Sequence, residues 1–297
     1  MASLNDKVIV TCALDGVLTK REQCPYIPYS PVELGEEARR AYEAGAAVVH
    51  IHARDPETGD QSWSKDIYRQ IRDEVKKRSP IIVNFSTGGF NMGVEGDDEK
   101  RSRLEYVHEV GPEMAALNMG SMNYAKYSEK RKGFVFDFVF PNPFSDILLA
   151  AEAMKRGGSK PELECFDVGH IHNAQPLLAM GALKPPLQYS FVMGVLGGVA
   201  PTAENLAHMA RQVGPTDTWE VIGISRVQWP LVMAALVLGG NIRVGLEDNF
   251  YLDTHGKEMA KGNGPLVEKA VRMARDAGRE PMTPDEARRA LSIPQVW

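Results

Sequence analysis

Residues 48–55 read VVHIHARD, and the alternation inside them decides how the rest of the chain is read. On a β-strand, residues two apart point to the same face, so His50 and His52 aim at one point while Val49 and Ile51 face the other way. Neutral imidazole is a preferred zinc ligand, and a catalytic zinc takes three protein ligands and keeps one position open. The third candidate stands far along the chain, at Glu247 in NIRVGLEDN, residues 241–249. Paired histidines also occur as hydrogen-bonded core residues, so the pattern needs support from its surroundings.

Moving outward, apolar strand-like runs recur at 8–14 (VIVTCAL), 80–86 (PIIVNFS), 114–120 (MAALNMG), 161–167 (PELECFD), 187–193 (LQYSFVM), 219–225 (WEVIGIS) and 241–246 (NIRVGL). With the histidine segment these make eight. Helical spacing follows each of them. Ser30 and Pro31 supply an N-cap and a first-turn proline for a helix to Ala46, and Ile67, Ile71 and Val75 line one face of the next. Further helices are expected at 97–110, 143–156, 173–180, 202–213, 227–238 and 264–277. Eight such units without a linker predict one domain over 1–297, a (β/α)₈ TIM barrel of the α/β class. An irregular insertion at about 121–143 and a short helical extension after Thr283 complete it. An open Rossmann sheet would want G-x-G-x-x-G after the first strand, where this chain has ALDGVLTK.

Active sites of such barrels lie at the C-terminal ends of the strands, so polar residues late in apolar runs are the next signal. Asn84 and Ser86 share a face, Asn118 ends the fourth run, Glu164 lies in the fifth, and Arg243 precedes Glu247 by four. Arg54 would join the histidines if their strand ran on. An unpaired buried polar group costs on the order of 1–3 kcal/mol, so these positions mark either a site or a satisfied polar plug. Asp248 can serve the same site as Glu247 only if the backbone turns there, since neighbours on a regular strand face opposite sides. His170 and His172 repeat the H-x-H spacing, but at a helix start, where such side chains diverge. His108, His208 and His255 read as surface residues. Gly194, Gly197 and Gly198 fit either a close ligand approach or a tight turn.

At 297 residues and 43% apolar the chain can bury a sizeable core. A net charge of −5 advertises no nucleic-acid partner. The longest apolar run, 231–238, is too short for a bilayer, so no membrane partner is expected. Three scattered cysteines and an N-terminus without a secretory apolar stretch point to the cytoplasm.

The segments VVHIHARD, VNFSTGG, PEMAALNMGSMNY, PELECFD, FVMGVLGG and IRVGLEDN resemble, in order and spacing, the β-keto acid cleavage enzymes, among them the enzyme acting on 3-keto-5-aminohexanoate. The resemblance runs over essentially the whole chain. It implies a zinc TIM barrel that condenses a β-keto acid with acetyl-CoA, Claisen fashion, giving acetoacetate and a new acyl-CoA. By motif position, His50, His52 and Glu247 would hold zinc, Ser86 and Gly89 would bind the keto acid, and Asp248, assisted by Arg243 and Glu164, would move the proton. Asn118 joins the substrate-binding set, and a homo-oligomer, a tetramer by analogy, is implied.

Two positions depart from the 3-keto-5-aminohexanoate enzyme. Leu18 stands where that enzyme has a glutamate for the substrate ammonium, and Ala116 where it has threonine. An ammonium beside leucine would lose its counter-charge, so an uncharged or apolar tail is expected. Asp15, three residues earlier, is placed to compensate. The rival enzymatic reading is a zinc hydrolase of amidohydrolase type, whose H-x-H ends the first strand, whereas here a whole βα unit precedes it. A barrel kept only as a binding subunit would be expected to have lost ligands or base, and all four residues are present.

Overall fold

The computed structural model describes residues 6–88 and 97–293. Its strands are β1 (Lys7–Val8), β2 (Val10–Ala13), β3 (Val48–Ile51), β4 (Ile82–Phe85), β5 (Met114–Asn118), β6 (Met122–Ser128), β7 (Gly133–Phe140), β8 (Lys160–Cys165), β9 (Gln188–Met193), β10 (Thr218–Gly223), β11 (Asn241–Val244) and β12 (Glu280–Pro281). Eight of them, β2, β3, β4, β5, β8, β9, β10 and β11, close into a parallel barrel in chain order, with helices between successive strands. This is the expected TIM barrel. The first run divides, because β1 leaves the barrel to pair with β12.

The alternation in VVHIHARD follows from this closure. Val49 and Ile51 point outward into the main core beneath the helices, while His50 and His52 point into the barrel. The interior is layered. At the N-terminal end Ile9, Val48, Ile82 and Met114 form an apolar floor, sealed by Ala287, Leu291 and Ile293 of the C-terminal extension. Thr11, Asn84, Glu162, Ser190 and Glu220 form a buried polar layer above it. The Thr11 hydroxyl donates to Glu220 over 2.8 Å, Ser190 lies 2.7 Å from Glu162 and 3.0 Å from Glu220, and Asn84 donates its amide to Glu162. A hydrogen-bonded polar layer and the polar mouth of the barrel thus coexist, one above the other, with the Asn84 Oδ1 in the layer left without a partner.

The helix starts follow their caps. Ser30 forms a capping box with Glu33 at Pro31–Ala44, and Ser64 caps Lys65–Arg78. The expected helix over 97–110 is two, Asp97–Arg103 and Glu105–Val110, broken at Leu104. The insertion expected at 121–143 is there but is not irregular. Those residues form the antiparallel hairpin β6–β7, whose Tyr124, Phe136, Phe138 and Phe140 cluster with Phe166. The Gly-rich segment after β9 serves this hairpin. A Cβ on Gly197, at φ 112°, would stand 1.8 Å from the Asn123 carbonyl oxygen. Among the described residues no helix is long and apolar enough to cross a membrane.

After β11 the chain turns at Gly245, φ 143°, where a Cβ would lie 2.1 Å from the Ala13 carbonyl oxygen. Gly245→Ala is expected to lower stability by at least about 1–3 kcal/mol, combining a disfavoured φ with that clash. Urea unfolding measures the loss.

Candidate active site

His50 and His52 stand at the end of β3, and their Nε2 atoms face each other at 3.4 Å. Glu247 completes the group from the turn after β11. Its carboxylate lies 3.4 Å from His52 Nε2 and 3.7 Å from His50 Nε2. Tetrahedral ligands at metal–nitrogen distances of about 2.0–2.1 Å stand about 3.4 Å apart. The spacing therefore suits a metal ion. A buried oxygen of Glu247 and the Nδ1 atoms of both histidines have no hydrogen-bond partner, so the carboxylate oxygen is free to ligate. Burial, reinforced by nearby Arg243, pushes the His50 pKa down to about 3, which keeps the ring neutral, as a ligand must be.

Arg243 holds the other side of the site. Its guanidinium, buried to 2% exposure, donates to Asp248 through Nε (2.9 Å) and Nη2 (3.0 Å), and to Glu247 through Nη2 (2.7 Å), with Glu164 3.5 Å from Nη1. The turn at Gly245 is what lets the adjacent Glu247 and Asp248 reach the same cation. Burial alone would raise Glu247, but Arg243 and the two imidazoles outweigh it and hold the carboxylate well below its usual range. Burial raises Asp248 to about 6 against the pull of Arg243. Burial and the Glu162 carboxylate raise Glu164 to about 8. Three carboxyl groups, Glu164, Glu247 and Asp248, thus meet one guanidinium, with Glu162 and Glu220 in the layer beneath. A second group able to approach one ion is His50 with Glu162 and Glu164.

These residues open onto a cavity of about 560 Å³ at the C-terminal mouth. Its polar wall carries His52, Ser86, Asn118, Glu164, Arg243, Glu247 and Asp248. Its apolar wall carries Leu18, Tyr124, Phe136, Phe140, Phe166, Val192 and Ile222. Ser86 accepts the Gly88 N–H over 3.2 Å and keeps its own proton to donate. Gly89 lies outside the described residues.

Other sequence expectations separate here. Ala116 is fully buried, one inward position below Asn118, and does not line the cavity. Asn84 belongs to the layer underneath. Arg54 does not share the histidine face, because β3 ends at Ile51; it donates instead to the Asp15, Gly16, Thr19 and Gly59 carbonyls and fixes the first loop. Asp15 is fully buried and accepts the His52 N–H over 3.0 Å. His170 accepts the Phe166 N–H through Nδ1, away from the other two histidines. Sequence reasoning missed Glu162, although its i, i+2 relation to Glu164 carried the signal, and Tyr124 and Phe136, which lay in the segment read as irregular.

The profile of the beta-keto acid cleavage enzyme family matches residues 7–293. The chain belongs to that family. It is 33% identical over 305 residues to the 3,5-dioxohexanoate:acetyl-CoA acetone transferase of Paraburkholderia graminis, covering 97% of this chain and 96% of that one. It is 35% identical over 289 residues to the 3-keto-5-aminohexanoate cleavage enzyme of Fusobacterium nucleatum, covering 97% and 98%. Among solved structures, the apo structure of ObcA is similar in fold, with a TM-score of 0.74 at 24% identity, over 91% of this chain and 66% of that one. Family membership sets the hydrolase alternative aside.

Arg243→Ala would leave three neighbouring carboxyl groups without their buried counter-charge. The expected destabilisation is about 3–5 kcal/mol, read from urea unfolding, and larger than for Arg243→Lys.

Proposed function

We propose that the protein transfers acyl groups between a β-keto acid with an uncharged or apolar tail and acetyl-CoA, with zinc held by His50, His52 and Glu247. The observation that carries this is the convergence of those three side chains beside the Arg243–Asp248 pair, with all but His50 lining one cavity. Relatives named for β-keto acid substrates, one of them with acetyl-CoA, support the reaction class.

When bound, zinc supplies Lewis-acid polarisation of a carbonyl oxygen. The C2 position of a β-keto acid lies between two carbonyls and is acidic. Asp248, held by two donors of Arg243, takes the C2 proton. The carbanion at C2 attacks the acetyl carbonyl of acetyl-CoA and the CoA thiolate leaves. The thiolate then adds to the original C3 carbonyl, the C2–C3 bond breaks with its electron pair on C2, and Asp248 returns the proton. The products are acetoacetate and the tail acyl-CoA. Arg243 keeps the Asp248 carboxylate in one orientation throughout, Glu164 braces the far side of Arg243, and Ser86 with Asn118 offers hydrogen bonds to the substrate carboxylate.

The tail preference rests on the apolar wall. Leu18 lines it, while Asp15 does not: it is fully buried, accepts the His52 N–H at Oδ1 and stands 3.6 Å from Arg54. Lys126 also lines the cavity, a further reason an ammonium tail is disfavoured. The reading includes a cytoplasmic, homo-oligomeric enzyme, supported by buried free cysteines and by the exposed Met233, Val237 and Leu238 on Gln228–Leu238, a helix without charged residues.

The test is mass spectrometry of products from purified protein with acetyl-CoA and β-keto acids whose tails vary in charge and length. Acetoacetate should form only with acetyl-CoA, vanish on chelation and return with zinc, and be absent in His50→Ala. Asp248→Asn should lower kcat by about 10²–10⁴-fold, the usual worth of a positioned base. Apolar tails should exceed the 5-amino substrate in kcat/KM. Turnover best on the 5-amino acid would overturn the tail assignment, and no acyl-CoA from zinc-loaded protein would overturn the reaction.

A further inference from the structure

The buried layer beneath the site contains one carboxylate whose placement is not explained by packing the barrel. Glu162, 1% exposed, is fixed at both oxygens, by the Ser190 hydroxyl on Oε1 at 2.7 Å and by the Asn84 amide on Oε2. Neither bond needs a charged acceptor, and an interior position on a barrel strand is ordinarily filled by a branched apolar side chain. The Oε2 oxygen stands 3.8 Å from His50 Nδ1. That nitrogen is buried without any hydrogen-bond partner, while the Nε2 atom of the same ring faces His52 and Glu247.

We propose that Glu162 is a positioning residue for the active site, its pinned carboxylate taking the Nδ1–H of His50 and so fixing the tautomer and ring plane that present Nε2 to the cavity. The inference rests on the metal-binding reading above and assigns a role to a residue one layer below it. A ligating histidine commonly donates its second ring N–H to a carboxylate, which orients the ring and makes the ligating nitrogen more basic. Here the gap exceeds a hydrogen bond of about 3 Å, so the role requires the imidazole to turn toward Glu162 when Nε2 is engaged. Ser190 and Asn84 serve as the fixed frame against which the ring is set. Glu162 faces only the His50 ring; the His52 backbone N–H goes to Asp15, on the other side of the strand end.

The experiment compares wild type, Glu162→Gln and Glu162→Asp, all as full-length protein. Zinc affinity is measured by chelator competition, and the Nδ1–H protons of the metal-bound imidazoles are followed as solvent-exchangeable, hyperfine-shifted NMR signals after cobalt substitution. Glu162→Gln keeps the shape of the side chain and removes its charge. It should bind zinc about 10–100-fold more weakly and shift or broaden one exchangeable signal, leaving the other in place. Glu162→Asp should recover part of the affinity. Unchanged affinity and signals in Glu162→Gln, with only a lower urea midpoint, would overturn the role and leave Glu162 a brace of the barrel interior. Two zinc ions per wild-type chain would also overturn it, making Glu162 a ligand. A wild-type chain that binds no zinc would instead bring down the metal reading itself, a failure distinct from either.

Discussion

The burial of the Arg243 guanidinium among Glu164, Glu247 and Asp248 is the constraint on which the mouth of this barrel depends. A charge with 2% exposure is tolerated only when its donors are met, and here they are met by carboxylates from β8 and from the turn after β11. The same cation that satisfies the carboxylates also sorts them. Glu247 is held ionised beside the two imidazoles, while Asp248 and Glu164, more strongly governed by burial, titrate higher. One guanidinium thereby separates a ligand-like carboxylate from a base-like one two atoms of backbone away.

Below that level the barrel is polar where most barrels are aliphatic. The Thr11, Asn84, Glu162, Ser190 and Glu220 layer is closed to solvent, and its hydrogen bonds link strands that are neighbours or next neighbours around the barrel. Stability comes from elsewhere: from the outward faces of the strands against the helices, and from the apolar floor under the C-terminal extension. This division explains why a chain with so many interior polar groups still closes a regular eight-stranded barrel.

Most of this was legible because strand parity is an unambiguous code when the two faces differ in chemistry. The alternation of Val49 and Ile51 with His50 and His52 fixed direction and face together, and the same rule placed Asn118, Glu164 and Arg243 at the mouth. It failed at strand ends. Arg54 has the right parity but the wrong backbone, since β3 stops at Ile51. Asp248 has the wrong parity and reaches the site because Gly245 takes a φ closed to other residues. The hairpin β6–β7 was hidden for a different reason. Phe134, Phe136, Phe138 and Phe140 do alternate, but Val135 and Val139 between them are apolar as well, so the polar outward face that marks a half-buried strand is missing, and the turn at 129–132 has no glycine or proline of its own. Asn263, which takes the Leu246 N–H and donates to the Leu14 carbonyl, had no local signal at all, because its partners are distant in sequence.

The hairpin is inserted in the connection between β5 and the helix Phe144–Gly157, and it supplies much of the apolar wall while contributing none of the side chains that converge at His50, His52 and Glu247. The polar groups gathered around Arg243 and most of the aromatic surface of the cavity therefore belong to separate stretches of chain. A lineage can remodel one loop, lengthening it or trading its aromatic side chains for polar ones, without disturbing the geometry that performs the reaction. A family built in this way can diversify in what it accepts while its chemistry stays constant.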